Sequence, residues 1–201
     1  MYRNFFKRFF DFIAALISLV LLLPLFVFLA LLIRLESAGP VFFTQKRGGK
    51  NGRYFPLFKF RSMRVDRNAE KTGFEPGASD RITKVGAFLR KTKVDEFPQL
   101  INVLKGDMAI VGPRPEVKKY IDAYPERWEK ILAERPGITD PASIKFRNEE
   151  EILADAANPE KEYIEKIMPD KMAAYEEYVG NISLFGDIKI IIQTIFAVLR
   201  G

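Results

Sequence analysis

The 201-residue chain can hold one globular domain with an appendage, and its 48% hydrophobic and 13% aromatic content excludes a disordered polymer. It contains no cysteine and no histidine, which excludes disulfide scaffolds, thiolate and imidazole metal sites, cysteine nucleophiles and Ser-His-Asp triads. Any metal must therefore sit among oxygens. The net charge of +6 is uneven, since residues 1–67 hold 12 Lys+Arg against 3 Asp+Glu and the remainder 20 against 23; the basic half suits phosphate, while the acidic remainder argues against a nucleic-acid coat.

The first element is apolar. From Phe12 to Ile33 no charge interrupts FIAALISLVLLLPLFVFLALLI, about 33 Å of straight helix at ~1.5 Å per residue and enough to cross a bilayer. Pro24 near its midpoint removes a backbone hydrogen bond, and basic residues flank both ends: Arg3, Lys7 and Arg8 before it, Arg34, Lys46, Arg47, Lys50 and Arg53 after it. A helix that enters, breaks at Pro24 and returns to one face satisfies both flanks. A single-pass anchor with a tolerated proline is the alternative, and the residues alone do not decide between them. A cleaved signal peptide fits less well, because the run is too long and ESA at 36–38 is a poor cleavage site.

Next, VFFTQ (41–45) and YFPLFKFRSM (54–63) around GGKNGR (48–53) predict a basic β-hairpin, and 66–80 a polar loop. Val85, Phe88 and Leu89 predict a helix over 82–92, and MAIV (108–111) a short buried strand. Residues 116–179 read as helical, broken near Pro136, Pro141, Pro159 and Pro169, with an acidic, solvated face between Glu149 and Tyr178. Residues 182–200 form an apolar helix, either interfacial or part of the core. The fold class is thus α/β, mostly helical with a small hairpin; residues 1–36 form a membrane-helix unit and 37–201 a second domain packed on the membrane face.

The chemistry concentrates in KVDEFPQLINVLKGDMAIVGPRPE (93–116). Asp95 as N-cap would put Glu96 and Pro98 in the first helical turn, with Phe97, Leu100, Ile101 and Leu104 as a buried stripe. Asp95, Gln99 and Asn102 then line a polar stripe, which makes Gln99 and Asn102 candidate substrate contacts. In GPRP (112–115) two prolines stiffen the backbone around Arg114, which suits an anion site. Lys59, Arg61, Arg81 and Arg90 are the basic residues that would wall a diphosphate if the hairpin folds onto the helix. Neither a P-loop nor a dinucleotide fingerprint is present.

Together, KRFFD (7–11), VFFTQKRGG, FKFRSM, DRITKVGAFLRKTKVDEFPQLINVLKGDMAIVGPRP and RPGIT (135–139) resemble the monotopic phosphoglycosyl transferases, the bacterial sugar transferases that start glycan assembly on polyprenyl phosphate. The likeness covers nearly the whole chain and corresponds to the compact form of that family. It implies a re-entrant helix breaking at Pro24, Asp95 as nucleophile of the Asp95–Glu96 pair, and Mg2+ held by that pair. It further implies a UDP-sugar donor, a polyprenyl phosphate acceptor, a covalent sugar-phosphoryl-aspartate and release of UMP. Inner-membrane lipid and downstream glycosyltransferases would be partners, nucleic acid would not, and the domain would lie on the cytoplasmic face of a bacterial inner membrane. The chain departs from the family pattern in three places: Leu23 precedes Pro24 where serine is common, Phe97 replaces leucine, and DPASIKFRN (140–148), with Asp140 and Ser143, follows RPGIT where the sugar is expected to be read. The competing reading is a membrane-tethered, non-catalytic module that binds anionic lipid or nucleic acid.

Overall fold

The computed structural model describes residues 2–65, 81–143, 145–146, 149–154 and 156–199; the expected polar loop at 66–80 lies outside them. A π-helical turn, Tyr2–Phe6, leads into α1, Lys7–Glu36, a 30-residue helix. Its central stretch has a mean hydropathy of 3.1 and is only 17% buried. The helix does not end at Pro24, which lies inside a continuous helical element. One missing N–H costs a bond without outweighing the strong helix preference of the surrounding leucines.

Both ends of α1 dock on the same globular body. Near its start, Ala15 is fully buried with Val103 and Met108, Arg8 donates to the carbonyls of Val103 and Leu104, and Asp11 accepts from the Ile110 amide. Near its end, Leu29 and Ile33 pack with Phe60 and Leu89. Between these contacts Leu16, Ile17, Val20, Leu21, Leu23 and Val27 are exposed.

Strands β1 (Phe42–Gly48) and β2 (Tyr54–Phe60) pair antiparallel, with Phe42 opposite Phe60 and Gly48 opposite Tyr54. The turn between them places Asn51 and Gly52 at positive φ (56° and 72°), the conformation that Asn and Gly tolerate best. Helix α2, Lys84–Lys91, is capped by the Thr83 side chain and also by Glu36, whose carboxylate accepts from the Lys84 and Val85 amides at 2.7 and 2.9 Å. Leu89 is buried as expected, whereas Phe88 is 59% exposed.

Lys93 adopts a left-handed conformation (φ 58°), a 3-10 turn covers Val94–Glu96, and α3 begins only at Gln99, ending at Lys105 before Gly106. Strand β3, Ala109–Val111, pairs in parallel with β4, Gly137–Thr139, which the sequence reading missed because three residues carry no periodicity. Then come α4 (Lys118–Ala123), α5 (Pro125–Ile131), α6 (Glu149–Ala154), α7 (Pro159–Glu162), a π turn at Tyr163–Ile167, α8 (Met168–Gly180) and α9 (Leu184–Leu199). Pro159 initiates α7, where a first-turn residue has no intrahelical N–H bond to lose, whereas Pro169 sits within one continuous helical run just after the π turn, so the chain stays helical from 159 to 180. The largest core cluster gathers Trp128, Ile131, Tyr163, Ile167, Met172 and Tyr175. Thus the described residues are mostly helical with two small two-stranded sheets.

Candidate active site

Asp95 and Glu96 lie in the 3-10 turn that precedes α3, so their side chains diverge by roughly 120°. Asp95 is not the helix cap expected from sequence: Pro98 occupies that position and makes no side-chain cap, and Asp95 Oδ1 is buried without a hydrogen-bond partner. The predicted apolar stripe is also rotated. Phe97, Leu100, Ile101 and Leu104 are half-buried, while Gln99, Asn102 and Val103 are buried, because the polar side of α3 faces the hairpin.

That side is satisfied at Asn102, which is fully buried and accepts from the Phe58 amide at 3.0 Å while donating to the Pro56 carbonyl at 2.8 Å. Asn102 fastens α3 to β2, so its amide is engaged with backbone and does not serve the substrate contact expected of it. The same contact brings Lys59 to the acids. Its ammonium lies 2.7 Å from Glu96 Oε1 and 3.8 Å from Asp95 Oδ2.

Arg114 arrives from the other side. Its loop follows β3, where Gly112 and Gly137 lie so close that neither position has room for a Cβ against the facing backbone. The Gly112 amide donates to Thr139 O at 3.0 Å and the Gly137 amide to Pro113 O at 2.9 Å, which ties GPRP to RPGIT. Arg114 Nη2 then sits 2.9 Å from Glu96 Oε1, with the side chain 37% exposed. Glu96 thus accepts from two cations and fixes them side by side.

Electrostatics separates the two acids. Burial pushes the Asp95 carboxyl up from its ordinary value, and the neighbouring Glu96 charge adds to this against the opposing charges of Lys59, Lys93 and Arg90. Burial acts on Glu96 in the same direction, but the charges and hydrogen bonds of Arg114 and Lys59 outweigh it and hold Glu96 well below the carboxylate range. Glu96 in turn, outweighing burial, holds Arg114 firmly protonated. The result is one carboxylate paired with two cations beside one whose Oδ1 is buried without a hydrogen-bond partner and whose proton affinity burial raises.

Arg90, at the end of α2, acts on Asp95 through its charge. Gln99 is 3% exposed at the first position of α3. Arg61 is engaged elsewhere: it donates to the carbonyls of Ile33, Ser37 and Ala38 and caps the end of α1, so the diphosphate wall expected of it is a helix cap instead. Arg81 belongs to the segment where Ile82 bridges Met63 and the Arg64 amide donates to Arg81 O. Asp140 is buried and holds a local turn through the amides of Ala142 and Ser143 and the Ser143 hydroxyl. Sequence reasoning missed the half-buried Arg47 and the buried Glu116 and Tyr163 as a connected set next to Arg114; Arg47 stands in the basic QKRGG and Glu116 directly follows GPRP, whereas nothing local marks Tyr163.

No group of three or more potential metal ligands occurs among the described residues. The pair itself still suits a hard cation, because Asp95 Oδ1 is an anionic oxygen buried without a hydrogen-bond donor. Magnesium is commonly held by one or two carboxylates plus substrate phosphates.

The chain matches the family model described as bacterial sugar transferase over residues 2–201. It is 38% identical, over 98% of its length, to a UDP-N-acetylgalactosamine-undecaprenyl-phosphate N-acetylgalactosaminephosphotransferase of Aeromonas hydrophila, and spans 44% of that protein. It is 36% identical over 96% of its length to a UDP-glucose:undecaprenyl-phosphate glucose-1-phosphate transferase of Caulobacter vibrioides, spanning 69% of it. With the exopolysaccharide production protein PSS of Rhizobium leguminosarum bv. phaseoli it shares 39% identity over 97% of its length, and there it spans 96%. A full-length family match, carried by a chain whose DEFPQ, GPRP and RPGIT segments converge in space, places this protein in the bacterial sugar transferase family.

Proposed function

We propose that the protein transfers a sugar-1-phosphate from a UDP-sugar to polyprenyl phosphate at the cytoplasmic face of a bacterial inner membrane. The observation that carries this reading is the buried, unpartnered Asp95 Oδ1 beside a Glu96 fixed by Lys59 and Arg114. In a chain without histidine or cysteine, a desolvated carboxylate is a sensible nucleophile.

In the first half-reaction an Asp95 oxygen attacks the phosphorus that bears the sugar. The bond from that phosphorus to the bridging oxygen breaks, and UMP leaves with the bridging oxygen and its electron pair. The sugar phosphate is left on Asp95 as an acyl phosphate. In the second, an oxygen of polyprenyl phosphate attacks the same phosphorus and the Asp95 carboxylate is released, giving polyprenyl-diphosphate-sugar. Arg114 and Lys59, held by Glu96, present positive charge to the diphosphate, and Arg90 adds to the field. Asp95, with Glu96 next to it, would hold magnesium, which when bound neutralises charge on the diphosphate; the remaining ligands would come from substrate and water.

The membrane reading is re-entrant. A helix whose two ends dock on one globular body, through Arg8 and Asp11 at the start and Leu29 and Ile33 at the end, has both ends on one side of a bilayer, and its exposed apolar middle is the part that dips into lipid. Helix α9 exposes Phe185, Ile188, Ile192, Ile195 and Phe196 and lies at the interface beside it.

The test is UMP release by the purified full-length protein from a panel of UDP-sugars with magnesium. Turnover that is lost in Asp95→Asn supports the reading. Salt-sensitive binding to anionic vesicles with no turnover on any donor would instead support a tethered binding module.

A further inference from the structure

Arg114 lies between two prolines, and the carbonyl of each is tied down. Pro113 O accepts from the Gly137 amide at 2.9 Å, and Pro115 O accepts from Arg47 Nη1 at 3.2 Å. Arg47 is the penultimate residue of β1, and the next one, Gly48, donates its amide to Glu116 O at 2.8 Å. The same guanidinium lies 3.3 Å from Glu116 Oε2 and donates through Nη2 to Gln45 Oε1 at 2.8 Å, while its Nε is buried without a partner. Glu116, 5% exposed, accepts on its other oxygen from the Tyr163 hydroxyl at 2.7 Å. Tyr163 is anchored in the largest core cluster, against Tyr120 and under the Lys171 ammonium.

A buried ion pair of this kind is a poor device for stability, since a well-packed apolar pair of similar volume commonly does as well or better. What it adds here is position. Arg47 and Arg114 lie near enough to repel one another, and Glu96 and Glu116 are the anions that allow two guanidinium groups to share this part of the fold. We propose that Arg47, Glu116 and Tyr163 form a clasp that fixes the backbone of the proline-bracketed loop and so positions Arg114 for the diphosphate of the donor. All three are positioning residues acting through Arg114, and the inference rests on the phosphate role given to Arg114 above.

The experiment is a double-mutant cycle on the full chain in nanodiscs, scored on the KM for the UDP-sugar donor in the UMP-release assay and, independently of any substrate, on thermal unfolding. Arg114→Lys and Glu116→Gln should each raise KM about tenfold, and the double variant should exceed Arg114→Lys by no more than about threefold. Tyr163→Phe, which keeps the Arg47–Glu116 pair, should raise KM less than Glu116→Gln, and Arg47→Lys should behave like Glu116→Gln. These milder changes carry the test if Glu116→Gln fails to fold. A KM rise near the ~100-fold product, or a Glu116→Gln protein with lowered unfolding temperature and unchanged KM, would overturn the clasp. If wild type is inactive on every donor, the functional reading falls, and the clasp is then judged on unfolding alone: it stands if the double variant loses less than the sum of the two single changes and falls if the losses add.

Discussion

At the scale of single residues, the site separates two adjacent acids by their neighbours. Asp95 and Glu96 stand in one 3-10 turn, yet Glu96 is gripped by Lys59 and Arg114 while the buried Asp95 Oδ1 has no hydrogen-bond partner. Charges and prolines marked both acids and both cations as candidates, and the nucleophile role of Asp95 came only from the family resemblance. Sequence reasoning misassigned Asp95 as a helix cap, because the left-handed Lys93 and the 3-10 turn that displace it are backbone conformations with no residue signature at those positions. Arg114→Lys loses the planar fork and should lower kcat/KM for UMP release at least tenfold, whereas Arg53→Lys, on the exposed hairpin turn, should leave it unchanged. Arg127 would be an unsuitable control, since Glu176 holds it through two 2.7 Å contacts.

At the scale of elements, α3 and the hairpin form one unit because Asn102 joins them. Asn102→Ala would remove the partner of the Phe58 amide and the Pro56 carbonyl, and should destabilise the protein by roughly 1–3 kcal/mol in denaturant unfolding, with the Lys59–Glu96 contact loosened as a result. The two long hairpin strands and α2 were legible because alternation and helical spacing extend over several turns or pleats. The β3–β4 pair was only half legible. MAIV announced a strand, but its partner in RPGIT is three residues long and is fixed by the close approach of two glycines rather than by any apolar pattern. The burial of α3 was misread for a related reason: a polar stripe signals exposure unless another element supplies its hydrogen bonds, and here β2 supplies them.

At the scale of the whole molecule, α1 is a long apolar helix whose two ends are part of the fold. Its length and hydropathy were plain in the sequence, but the docking of both ends was not, since it depends on Arg8, Asp11, Leu29 and Ile33 finding partners about 30 to 100 positions away. Because the chain has no cysteine, single cysteines at Arg3 and at Arg53 should both react with a membrane-impermeant reagent only from the cytoplasmic side; labelling from opposite sides would establish a crossing helix. The same architecture gathers residues from β2, the turn before α3 and the loop after β3 around the buried Asp95 carboxylate. In the proposed mechanism Asp95 bonds to phosphorus before the lipid takes part. The most direct measurement is single turnover of the full-length protein with UDP-sugar labelled in the sugar-bearing phosphate, with magnesium and without polyprenyl phosphate. The account predicts one equivalent of UMP and an equal amount of label attached at Asp95, both absent in Asp95→Asn. UMP that appears only after polyprenyl phosphate is added, with no label on the protein, would contradict it and point to direct displacement in a ternary complex.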